Sequence, residues 1–243
     1  MKARSHYKNI ILFSTLTSAM LLCLPVQAGI GLDRTRLVYD GNKKAEQITF
    51  NNTGGRFLVQ AAVLDSTAAV LSDCFIITPP IFTSLSAEDH VLRVLRTGCT
   101  LPEDRESLFM LRINAIPSSA RGAEQNKNMR LRVSLGVGIK LFYRPSGLKI
   151  SPAQAGQDLQ FIREGHRLVV WNPTPYYLTF NSLTVNGIAL DDPSMVPPYA
   201  HISWALAKGH AQDEVRWTLI DDYGNATREM KRQLLSQQEA VHD

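Results

Sequence analysis

The 243-residue sequence predicts an all-β chain built as two β-sandwich domains. Three observations carry that prediction. Short runs rich in Val, Ile, Leu, Phe and Tyr recur at regular spacing and are punctuated by Asn, Asp, Gly and Pro. No segment long enough for a helix shows 3.6-residue periodicity before about residue 225. The strand-and-turn pattern also breaks at Arg144-Pro145-Ser-Gly147 and then starts again, which places a boundary between residues 29–146 and 147–243.

Residues 1–28 belong to neither domain. Lys2, Arg4 and Lys8 form a positive n-region, Ile10 to Leu24 is mostly apolar, and Val26-Gln27-Ala28 ends in small residues. That layout predicts a secretory signal peptide cleaved after Ala28. Ser14, Thr15, Thr17 and Ser18 interrupt the apolar run, which falls short of the ~20 residues a membrane-spanning helix needs. Bulky Leu22 before Cys23 argues against a lipidation site. Cleavage would leave 23 basic against 22 acidic side chains, a net charge of +1, so the sequence pI of about 9.0 belongs largely to the leader. Nucleic acid is therefore not an expected partner.

The first domain reads as follows. Gly31 to Tyr39 is extended and is stopped by Asp40-Gly41, a strong turn signal. Glu46–Asn51 and Phe57–Asp65 are the next strands. Cys74–Thr78 and Val91–Leu95 read as two strands of a hairpin joined by the polar loop Ser84–Asp89. Folding that hairpin about its midpoint brings Cys74 opposite the Cys99 region. In an oxidising compartment the default for these two is a disulfide, the alternative being two free thiols. Leu108–Ile113 follows, then the polar loop Ser118–Asn128.

Next comes the most unusual stretch. Met129, Leu131, Val133, Leu135, Val137 and Ile139 alternate with Arg130, Arg132, Ser134, Gly136 and Gly138. Side chains of a strand alternate between faces, so this is a ribbon with one wholly apolar side. It is about twice the usual 5–6-residue strand, and Lys140 stands at its foot. Such a strand reads as one offered to another protein.

In the second domain Leu168–Trp171, Tyr176–Phe180, Leu183–Val185, His201–Ala205 and Val215–Ile220 read as strands. Asn172-Pro-Thr-Pro175 and Asp192-Pro193 are turns, because proline fixes φ and donates no hydrogen bond. The tail from Thr227 to Asp243 is polar and reads as a last strand with a frayed end or as a short helix.

Four stretches, taken in order, resemble the periplasmic chaperones of the chaperone–usher pilus pathway: Gly31-Leu-Asp-Arg-Thr-Arg36, Leu101-Pro-Glu-Asp-Arg-Glu-Ser-Leu-Phe109 with Ile116-Pro117, Ile139-Lys-Leu-Phe-Tyr-Arg-Pro145, and Asn172-Pro-Thr-Pro-Tyr-Tyr177. Ile220-Asp-Asp-Tyr-Gly224 is a shorter fifth. The resemblance implies two immunoglobulin-like domains set in an L around a cleft, in the periplasm. It implies pilus subunits and an outer-membrane usher as partners, no cofactor, no ATP and no small-molecule substrate. The chaperone lends its long strand to a subunit that lacks one, with Leu131, Val133 and Leu135 filling the subunit's groove. By motif position, Arg36 and Lys140 hold the subunit's C-terminal carboxylate, and Glu106, Arg144 and Asp222 form an interdomain ion network. An exposed apolar ribbon invites aggregation, so a self-capping dimer is a further expectation.

Two positions depart from the family pattern: Met110 where an aromatic is expected and Arg112 where Asn is usual. The rival readings are a secreted β-sandwich pilin or adhesin, and an enzyme. Ser146-Gly-Leu-Lys149 fits Ser-x-x-Lys, but it lies in a Pro/Gly-marked break without its companion elements. The sequence contains no Gly-x-Ser-x-Gly, His-Glu-x-x-His or Cys-x-x-Cys, and its six His are scattered, so neither catalysis nor a metal is expected.

Overall fold

The structure, a computed structural model, describes residues 29–66, 70–118, 133–191, 194–206 and 213–236. The expected signal segment 1–28, most of the polar loop before the ribbon, Met129 to Arg132 of the ribbon, and the end of the tail lie outside them.

The chain begins with β1 (Ile30–Leu32) and β2 (Arg36–Asp40). They were expected as one strand, but the chain changes sheet between them. Asp33 causes the break: its backbone N–H donates to Thr49 O and its carboxylate accepts from Thr49 N–H, which fastens the bend to the neighbouring strand. The remaining strands of this half are β3 (Ala45–Asn52), β4 (Phe57–Asp65), β5 (Phe75–Thr78), β6 (Ile81–Ser84), β7 (Glu88–Arg96), β8 (Ser107–Pro117) and β9 (Leu135–Arg144). They form two facing sheets, β1-β3-β7-β5 and β2-β9-β8-β4-β6.

The expected Cys74 hairpin is more elaborate than the sequence suggested. β5 does pair with β7, but the intervening chain crosses over as β6 and pairs with β4 in the opposite sheet. Pro79-Pro80 starts that crossing, since neither proline can donate to the β5 ladder. Cys74 and Cys99 are joined, with Cα atoms 5.0 Å apart.

The second half holds the single turn of helix α1 (Pro152–Ala155), then β10 (Gln160–Glu164), β11 (Arg167–Asn172), β12 (Leu178–Val185), β13 (Ile188–Ala189), β14 (Met195–Val196), β15 (Ala200–Ala205), β16 (Glu214–Leu219), β17 (Met230–Gln233) and β18 (Leu235–Ser236). Its sheets are β15-β11-β10-β18 and β13-β12-β16-β17. The two segments expected at Tyr176–Phe180 and Leu183–Val185 are one strand, β12, continuous through a register shift between Phe180 and Ser182. The described part of the tail is extended, so the strand reading holds there and the helical one does not.

Each half buries its own core. Leu37, Tyr39, Phe50, Phe75, Leu111 and Leu141 sit in one; Phe161, Val170, Phe180, Val215 and Trp217 sit in the other. Among the described residues the two cores share no buried side chain, as expected of two immunoglobulin-like sandwiches. Among the described residues no helix is long and apolar enough to cross a membrane, and no group of three His, Cys, Asp or Glu side chains converges as metal ligands.

Candidate functional site

The site is built on β9. Its odd-numbered residues face the first core and its even-numbered residues face outward, meeting the second half of the chain at Phe142 and Arg144. Burial of the odd set fades along the strand. Leu141 is fully buried and Ile139 is 7% exposed, Val137 only flanks the core, Leu135 is 36% exposed, and Val133 is 60% exposed. The same apolar face that makes the core at one end is therefore left uncovered at the other. Leu131 lies outside the described residues.

Hydrogen bonding changes at the same place. β8 pairs with β9 along its whole length, from Ala115 opposite Leu135 to Ser107 opposite Tyr143. On the other side β2 pairs in parallel only from Arg36 opposite Lys140 to Asp40 opposite Arg144. Among the described residues no strand pairs with that second edge of Leu135–Ile139. An edge with open main-chain groups beside an uncovered apolar face is a template for one more strand.

Arg36 and Lys140 stand where the open edge ends. As register partners they project from the same outward face. Arg36 is 8% exposed; its Nη1 donates to Ile220 O at 3.0 Å, and its guanidinium lies 5.5 Å from the centre of the Phe142 ring. Burial pulls the pKa of both cations down. For Lys140 the Arg36 charge adds to the effect; for Arg36 the charges of Asp222, Asp221 and Glu106 oppose it. No carboxylate among the described residues lies in salt-bridge contact with either. Two adjacent, partly desolvated cations of this kind can receive an anion.

Behind them Arg144 joins the two halves. Its Nε donates to Glu106 Oε1 at 2.8 Å, and its two terminal nitrogens grip Asp222 at 2.7 and 2.8 Å. The other Glu106 oxygen accepts from Tyr177 N–H at 2.8 Å, and Glu106 N–H donates to Pro175 O. Glu106 is 3% exposed, and burial raises its pKa against the pull of Arg144 and the Tyr177 N–H. Arg144 is held above its ordinary value: its contacts with Asp222 and Glu106 outweigh burial.

The second half presents two turns to this network. In one, the fully buried Asn172 donates to Tyr176 O, Val196 O and Pro197 O and accepts from Thr174. In the other, Asp221 accepts from the N–H groups of Tyr223 and Asn225. Gly224, at φ +90°, packs so closely on Thr35 that a Cβ would collide with the threonine hydroxyl. Sequence reasoning missed the parts played by Ile220 O, the Tyr177 N–H, Asn172 and Gly224. All four residues lie in the matched turns, but Ile220 and Tyr177 act through backbone groups, which no side-chain pattern reveals. A crevice of about 440 Å³ lies here, lined by Arg36, Phe142, Arg144, Tyr176, Tyr177 and Asp222 among others.

Comparison with known proteins points to one family across both halves of the chain. Residues 29–149 match the pili and flagellar-assembly chaperone family, PapD N-terminal domain, and residues 154–231 match the pili assembly chaperone PapD, C-terminal domain. Chaperone protein LpfB of Salmonella typhimurium is 36% identical over 217 residues, which cover 86% of this chain and 92% of that protein. The crystal structure of the Escherichia coli chaperone DraB superposes with a TM-score of 0.76 at 30% identity, covering 85% of this chain and 96% of DraB. A chain of the Salmonella enterica complex of SafA pilin with the SafB chaperone gives a TM-score of 0.76 at 28% identity, covering 87% of this chain and 99% of that one. These matches are to chaperones and span both sandwiches, against the rival reading as a pilin or an adhesin.

Proposed function

Since the chain belongs to the pili-assembly chaperone family, we propose that it binds pilus subunits in the periplasm by lending them the open edge of β9. The observation that carries this reading is the coincidence on β9 of an uncovered apolar face and an open edge, with the cations Lys140 and, beside it on β2, Arg36 where both end. The division at Gly147 then separates a strand-donating domain, 29–146, from a second domain, 147–243, that closes the cleft.

The position of the two cations supports one direction for the incoming strand. Arg36 and Lys140 lie at the C-terminal end of the open segment, so a strand whose own C-terminal carboxylate reaches them must run parallel to β9. It would lie in line with β2, which already pairs in parallel with β9. Main-chain groups supply affinity, while Leu131, Val133 and Leu135 enter the subunit's groove; each buried side chain is worth at most about 1.5–3 kcal/mol. A slip of one residue would turn that apolar face outward, so a fixed register is needed. A carboxylate between two partly desolvated cations supplies it with strong, directional hydrogen bonds. The Glu106–Arg144–Asp222 network holds the second domain, and with it Ile220 O, against Arg36.

In this account the protein acts by binding and not by catalysis. The subunit is handed on at an outer-membrane usher when another strand replaces β9, and the folding of the subunit drives the exchange without ATP. The test is co-expression with a pilin encoded nearby, comparing wild type with Lys140→Ala. A one-to-one complex that is lost in the variant is the expected result. A complex that survives keeps the partner and overturns the carboxylate anchor.

A further inference from the structure

The outward face of the first domain's five-stranded sheet carries a third cation beside the site. Arg112 lies on β8 between the buried Leu111 and Ile113, so its side chain projects outward, and it is exposed. Across the sheet its register partners are Ala62 on β4 and Gly138 on β9. One has only a methyl group and the other no side chain, so neither of these register partners screens or neutralises the guanidinium. Among the described residues Arg112 has neither an ion pair nor a side-chain hydrogen bond. Lys140 is its diagonal neighbour, because Lys140 stands opposite Met110 and Gly138 stands opposite Arg112.

The open edge of β9 runs past Gly138. A strand added there would lie two strand spacings from β8, about 10 Å away. With a side chain at position 138 an outward-facing residue of the newcomer would be walled off from β8. With glycine there, that residue and Arg112 meet over bare backbone, much as cross-strand pairs do. Arg36, Lys140 and Arg112 then surround one stretch of the incoming chain with positive charge.

We propose that Arg112 is a specificity-determining residue, which selects pilus subunits whose C-terminal strand carries an acidic side chain on the outward face at the register of Gly138. The inference rests on the strand-donation reading above and adds the chemistry of the partner to it. It concerns a side chain, whereas Arg36 and Lys140 address the terminal carboxylate.

The test uses the full-length mature protein and synthetic peptides of alternating apolar and small residues with a free C-terminal carboxylate. Asp is scanned against Asn through the last three positions, and affinity is measured by calorimetry at low salt. Wild type should prefer Asp over Asn by about three- to fivefold at one position, the range of a solvent-exposed pair, and the preference should fade in molar salt. Arg112→Asn should reduce the ratio to about one. Gly138→Val should do the same by interposing a side chain; a Cβ there meets nothing nearer than Met110 Cε at 3.7 Å, so the strand accommodates it. A ratio near one in wild type, or a preference that persists in Arg112→Asn, overturns the proposal. Peptides that fail to bind, or that bind equally well with an amidated C-terminus, overturn the anchoring reading and the selection by Arg112 together.

Discussion

Removing Arg144 while keeping its size and apolar stem, as in Arg144→Met, should destabilise the protein in a way that depends on pH. The cost can be apportioned from exposure. The Asp222 side chain is 38% exposed, so its half of the network is worth at most about 1 kcal/mol. The Glu106 side chain is 2% exposed and loses the cation that compensates its burial. Breaking such a buried pair costs about 3–5 kcal/mol. The Tyr177 N–H still reaches Glu106, which favours the lower end, about 3 kcal/mol in all. Burial already raises the Glu106 pKa, and Arg144 is the main influence opposing it, so the variant's Glu106 titrates higher still. A carboxyl whose pKa is higher in the folded than in the unfolded state binds more protons when folded. Its contribution is therefore best at low pH and is lost as pH rises from the unfolded value of about 4.3 through the folded one. Urea denaturation at about pH 8 and about pH 5 should show the gap between wild type and Arg144→Met shrinking on acidification. Glu106→Gln in the Arg144→Met background should recover part of the loss at the higher pH. A gap that is absent at the higher pH, or that does not narrow at the lower, would refute the claim that an uncompensated buried carboxylate is what Arg144 prevents.

Other perturbations test the remaining parts. Val133→Asp should leave the chaperone folded, because Val133 is exposed, yet abolish co-purification with a pilin, since a lone carboxylate in an apolar groove is costly; an intact complex would count against the donated strand. Replacing both Cys74 and Cys99 by Ser should lower stability by about 3 kcal/mol in urea, for a bridge closing a loop of 25 residues. Gly224→Ala meets both a positive φ and Thr35, and should cost about 1–3 kcal/mol and change the interdomain angle seen by small-angle scattering. Affinity for a pilin C-terminal peptide should fall as pH rises through the lowered pKa of Lys140, because the free protein then loses the proton the complex needs; Lys140→Arg should remove that dependence, as followed by calorimetry.

The parts of this molecule legible in the sequence were those with a strong period or a motif. The ribbon announced itself because alternation is a local property, and β4 was placed residue for residue because Phe57 to Asp65 is a nearly continuous apolar run that starts just after Gly54-Gly55 and ends at Asp65. Arg36 and Lys140 could be named from their motifs, although they stand 104 positions apart in the numbering and only the parallel pairing of β2 with β9 sets them side by side. Local pattern could not show that the first strand changes sheet at Asp33, since Gly31 to Tyr39 reads in sequence as one extended segment and the bend is made by a side chain bonding to Thr49. The crossing of β6 was hidden likewise: Ile81–Ser84 is short, and its partner β4 lies on the far side of the sandwich. Nor could periodicity reveal where the apolar face of β9 stops being core, because that depends on how far the other sheet extends. Arg112 appeared in the sequence only as a departure from the family pattern; its bare neighbours Ala62 and Gly138 became visible through register.

The central claim is that an incoming strand pairs with the open edge of Leu135–Ile139. Amide hydrogen exchange of this segment, measured in the free chaperone and in its purified complex with a pilin, tests it most directly. The account predicts that the amides of Leu135–Ile139 pointing away from β8 exchange readily in the free protein and become strongly protected in the complex, while those of β9 already paired with β2 change little. Equal exchange in the two states, with protection appearing elsewhere on the chaperone, would contradict it.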